Sequence, residues 1–72
     1  ESVSSGVIAQ RLIELRWDLS REKVAAACGI SKSALTMYEL GARIPRDEIK
    51  VRLASYYNKT VGEIFFAKQW HE

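Results

Sequence analysis

The interval Gly29-Ile30-Ser31 constrains this chain more than any other feature, because it leaves only three residues between two short segments of helical periodicity. Ahead of it, Ser20 has the side chain of an N-cap, and Val24, Ala25 and Cys28 fall on one helical face. Gly29 suits the left-handed residue that ends a helix, since it has no Cβ to clash there. After the interval, Ser31 can cap a helix whose inner face is Leu35 and Tyr38, and Gly41 can end it.

The rest of the chain carries the same signals. Ile8, Leu12, Leu15 and Leu19 follow the i, i+4, i+7, i+11 spacing of one helical face, with Leu19 past the helix end and Ser4 or Ser5 as cap. Pro45 stands where a fourth helix should begin, with Ile49, Leu53 and Tyr57 inward and Asn58 as its stop. Thr60 and Glu63 have capping-box spacing for a fifth helix bearing Val61, Ile64 and Phe65. Strand signals are weak, and no repeat or linker interrupts the pattern. The expectation is an all-α fold of five short helices in one domain over residues 1–72, with a core at 8–66 and a tail at 67–72. The spacing of the second and third helices is that of a helix-turn-helix, whose second helix can be held out to enter a major groove.

Composition sets limits on this picture. At 72 residues, with 47% hydrophobic residues including two Trp, three Tyr and two Phe, the chain can bury a modest core without staples. The lone Cys28 excludes an internal disulfide and cannot by itself hold zinc, which fits a reducing, intracellular setting. No apolar run approaches the roughly 18–20 residues needed to span a bilayer. The net charge of +2 is small, but its distribution is uneven. Residues 1–46 hold seven Lys/Arg against five Asp/Glu, and residues 47–72 hold four against four. The charge of +2 does not by itself identify a nucleic-acid binder, but a polyanion-binding face, if the chain has one, belongs to the first two-thirds.

The third helix, Ser31 to Leu40, divides into two faces. At ~100° per residue, Lys32, Ser33, Thr36, Met37 and Leu40 fall within an arc of roughly 140°, opposite Leu35, Tyr38 and Ala34. That outer arc suits base reading. Lys32 can donate to guanine or to a phosphate, Ser33 and Thr36 can bond either way, and Met37 can meet a thymine methyl.

Ser20-Arg21-Glu22-Lys23-Val24-Ala25, Gly29-Ile30-Ser31, Leu35, Tyr38-Glu39 and Gly41 resemble the phage-repressor and Cro-like, or XRE-like, helix-turn-helix family. Pro45, Leu53-Ala54 and Thr60 to Phe65 resemble its downstream pattern, so the likeness spans about residues 8–66. It implies a compact five-helix, lambda-repressor-like domain that binds double-stranded operator DNA, commonly as a homodimer on a two-fold-related site. By position it implies base-facing roles for Lys32, Ser33, Thr36 and Met37. Arg21 stands where the family usually has a Gln at the start of helix two, contacting phosphate and base edge. Gly41 and Arg43 fall in the loop that approaches the DNA backbone, and Arg16 and Glu39 match a pair tying the first helix to the third. A cytoplasmic, nucleoid-associated regulator, bacterial or phage-encoded, follows from the same likeness. The sequence departs from the family at several positions. The turn after Arg16 is about two residues short, Leu40 replaces a polar residue, and Lys50 and Lys59 stand where aliphatic residues are common. Ile49 is apolar where the family is often polar, so the fourth helix is expected to be rotated slightly or its core shifted by one position.

Other residues have plainer expectations. Cys28 reads as a buried structural thiol, and His71 as a solvated terminal residue. Trp17 reads as core or as a lid on the short turn, with core favoured. Phe66 and Trp70 read equally as tail packing or, with Ile44, as dimer contacts. Nothing points to an enzyme, a cofactor, a metal or a small-molecule site: no nucleophile has a neighbouring His, and no phosphate-binding Gly loop is present. The rival function is a protein-interaction module on the same fold, favoured by Met37 and Leu40 on the outer arc. An antitoxin or restriction-controller protein would be a variant of the DNA-binding role.

Overall fold

Four of the five helices start where a short polar side chain satisfies one of the first free N–H groups. In the computed structural model, which describes residues 3–66, these starts define α1 (Ser5–Arg16), α2 (Arg21–Cys28), α3 (Lys32–Glu39), α4 (Asp47–Tyr56) and α5 (Val61–Phe65). The Ser4, Ser20, Ser31 and Thr60 side chains accept from the backbone N–H groups of Val7, Lys23, Ala34 and Glu63. Among the described residues only α4 lacks a side-chain cap. Its N-cap is Arg46, and the helix starts at Asp47 rather than at Pro45, whose ring is buried. Gly29 and Gly41 take positive φ of 71° and 77° and end α2 and the turn after α3. At Gly41 an added Cβ would also lie 3.4 Å from the Ser5 carbonyl oxygen, so this glycine lets α1 approach the α3–α4 turn.

The five helices bury one shared core: Ile8 and Leu12 from α1, Val24, Ala25 and Cys28 from α2, Leu35 and Tyr38 from α3, Ile49, Leu53 and Ala54 from α4, and Ile64 and Phe65 from α5. Fully burying a side chain such as Leu35 or Phe65 is worth roughly 1.5–3 kcal/mol, so each helix depends on the others for its hold. Lys50 resolves its departure from the family pattern without vacating an apolar site. Its side chain is only 13% exposed, and its ammonium lies 5.7 Å and 5.8 Å from the Phe65 and Phe66 ring centroids. Ile49 faces the core beside it. Tyr57 is half-buried, and its hydroxyl has no hydrogen-bond partner among the described residues. Burial, then the Glu39 carboxylate, pushes that phenol well above its ordinary pKa.

Trp17 lies elsewhere than expected. Trp17 is 82% exposed, not core. It stands nine positions after Ile8, about 180° around the α1 wheel, and its backbone leaves the helix at φ 51°. Leu19 lies past the helix end and is exposed. Among the described residues, no helix is long and apolar enough to cross a membrane.

The α5 cap responds to pH. Glu63 accepts from the Thr60 N–H at 2.7 Å while the Thr60 hydroxyl accepts from the Glu63 N–H at 3.1 Å. The Thr60 backbone bond foremost, then its hydroxyl and Lys59, holds the Glu63 carboxyl below its ordinary value of 4.5. A carboxyl depressed in the folded state stabilises above its unfolded value and loses that effect as pH falls through the folded one. Glu63→Gln is thus expected to lower the melting temperature at neutral pH. The gap from wild type should shrink as pH drops below 4.5; a gap constant with pH would contradict this.

Candidate nucleic-acid interface

The rotation of α3 is fixed from beneath. Leu35 and Tyr38 sit in the core, 0% and 8% exposed, and the Glu39 side chain is fully buried. Three buried residues on one side leave the other side to solvent. Lys32, Ser33, Met37 and Leu40 are exposed there, and Thr36 is partly so. The Thr36 hydroxyl donates to the Lys32 carbonyl at 2.9 Å. Its donor is therefore used within the helix, which leaves oxygen lone pairs and a methyl to face a ligand. Lys32 is the first residue of the helix and has no ion-pair partner among the described residues.

Below this face, Glu39 gathers two arginines. Arg16, the last residue of α1, gives its Nε to Oε2 at 2.7 Å and its Nη2 to Oε1 at 3.0 Å. Its Nη1 donates to the Leu19 carbonyl at 2.8 Å, so one side chain also fastens the short turn. The bond to Glu39 raises the Arg16 pKa above its ordinary value. Arg21, the first residue of α2, gives only its Nε, to Oε1 at 2.9 Å. The position assigned from sequence to a DNA contact thus joins the pair assigned to tie α1 to α3. One buried carboxylate shared by two guanidiniums leaves a net positive charge at the end of α3.

The α3–α4 loop adds Arg43, exposed, and Ile44, 53% exposed. Arg46 and Lys23 are exposed too and, like Lys32 and Arg43, have no ion pair among the described residues. Sequence reasoning passed over Arg46 and Lys23. Their signal was available: Lys23 is a cation in the first turn of α2, two residues after Arg21, and Arg46 follows Pro45 at a helix start. Phe66 is half-buried, and its carbonyl accepts from Arg11 at 3.0 Å. Trp70 and His71 lie outside the described residues. Cys28 is buried, its thiol pKa raised by that burial and lowered somewhat by Arg52. An open cleft lined by Arg11, Glu14, Leu15, Lys59 and Glu63 holds none of the α3 side chains. Among the described residues no cluster of His, Cys, Asp or Glu could hold a metal ion.

Comparison with known proteins agrees with this architecture. A solution structure of the SOS-response transcriptional repressor LexA from Eubacterium rectale superposes with a TM-score of 0.82 over 96% of this chain and 76% of that one, at 18% identity. At that identity the likeness shows the fold. Comparison with curated proteins finds no match. The family model described as helix-turn-helix matches residues 11–64, well over half of the sequence. The chain belongs to the helix-turn-helix family of DNA-binding regulators.

Proposed function

We propose that this protein is a sequence-specific transcriptional regulator, a repressor of phage or mobile-element type, that reads the major groove with α3 and acts in the cytoplasm. The observation that carries the reading is the outer stripe of α3. Lys32, Ser33, Thr36 and Met37 offer a cation, two hydroxyls and a thioether on a helix whose other side is locked by Leu35, Tyr38 and Glu39. Those groups match base edges, and a rigid helix holds them in one register. Arg21, Lys23, Arg43 and Arg46 supply phosphate contacts around it.

A salt titration on mixed-sequence duplex DNA tests the electrostatic half. Four phosphate contacts give a slope of log affinity against log salt of about −4. A slope near zero, or no binding at low salt, would instead favour the protein-interaction reading, which Leu40 at 70% exposure supports. One recognition helix reads few base pairs, so a two-fold operator bound by two copies completes the reading. Ile44, with the accessible part of Phe66 and with Trp70, is the candidate contact between copies. A palindrome should then bind cooperatively, and binding no tighter than to a single half-site would contradict pairing.

A further inference from the structure

The two arginines on Glu39 differ in what they leave unused. Arg16 spends all three nitrogens, two on the carboxylate and one on the Leu19 carbonyl, and its side chain is 14% exposed. Arg21 spends only Nε, its side chain is 37% exposed, and neither of its terminal nitrogens has a hydrogen-bond partner among the described residues. A guanidinium is planar, so pinning Nε at 2.9 Å fixes the direction of the two remaining NH2 groups. The carboxylate that pins it is fully buried and itself held by Arg16. Arg16 and Glu39 cancel, which leaves the Arg21 charge unneutralised at the start of α2.

We propose that Glu39 is a positioning residue for DNA binding: it holds Arg21 by Nε so that the two terminal nitrogens grip one backbone phosphate as a preset fork. The inference rests on the DNA-binding reading above and deepens it. The phosphate completes an alternating row from the core outward, Arg16, Glu39, Arg21, phosphate. A flexible surface arginine would lose rotamer freedom on binding, whereas this one has already lost it in the free protein.

The test compares Arg21→Lys and Arg21→Ala for binding to mixed-sequence and selected duplex DNA, beside NMR of the arginine Nε–H signals. A lysine keeps the charge but has one nitrogen to divide between carboxylate and phosphate. Arg21→Ala is expected to weaken binding by about ten-fold or more on both DNAs. Arg21→Lys should recover little of that loss. In the free wild-type protein the Arg21 Nε–H should already be sharp and slow to exchange, and it should move little when DNA is added. Arg21→Lys binding as well as wild type, or an Nε–H that exchanges like a free arginine's, would overturn the preset fork while leaving DNA binding intact. Wild-type protein that binds no DNA would overturn the functional reading and this inference with it.

Discussion

Glu39→Ala is expected to cost the fold about 3–5 kcal/mol, the penalty for removing one partner of a buried charge cluster. At roughly 0.05–0.15 kcal/mol per residue, 72 residues hold about 4–11 kcal/mol in all, so the variant should lose a large share of its stability. The cause is specific. The carboxylate is fully buried, and Arg16, 14% exposed, would be left without the group that satisfies two of its nitrogens. Glu39 also joins the ends of α1 and α3 to the start of α2, so its loss frees three elements at once. Urea denaturation followed by circular dichroism measures the effect. A midpoint within experimental error of wild type would show that the cluster contributes nothing net. Arg21→Ala should cost far less, because that side chain is 37% exposed and solvent can replace its contact.

Lys32→Ala is expected to weaken binding to a selected operator by about 1–3 kcal/mol, the discrimination carried by one good base contact. The lysine is exposed and makes no ion pair among the described residues, so its removal should leave the melting temperature unchanged. That separation of folding from binding is what distinguishes it from Glu39. Titrations on selected and on random DNA give the contact's nature. A larger loss on the selected site means base readout, and equal losses mean a phosphate contact. No loss on either removes Lys32 from the interface.

Much of the fold could be read from local chemistry. Ser20, Gly29, Ser31 and Gly41 declare their helix ends because capping and positive φ depend on a few adjacent residues. The outer arc of α3 was legible for the same reason, since Leu35 and Tyr38 fix its rotation by spacing alone. What the sequence hid was long-range. Arg21 pairs with a residue eighteen positions away, and nothing local distinguishes a cation facing Glu39 from one facing solvent. Trp17 looked like core because tryptophan usually is, yet the backbone turn at φ 51° carries it outward. Lys50 looked like a disruption until the Phe65 and Phe66 rings beneath its ammonium were in view.

The central claim is that α3 reads base sequence, and one measurement tests it most directly. Sites are selected from a random duplex pool by the wild-type protein. Affinity for the selected site is then compared with that for a scrambled site of equal length and composition, at fixed physiological salt. Specific binders prefer their sites by about 10³-fold or more. The account predicts a preference of that order, with Lys32→Ala reducing it. Equal affinity for the selected and scrambled sites would contradict base readout by α3.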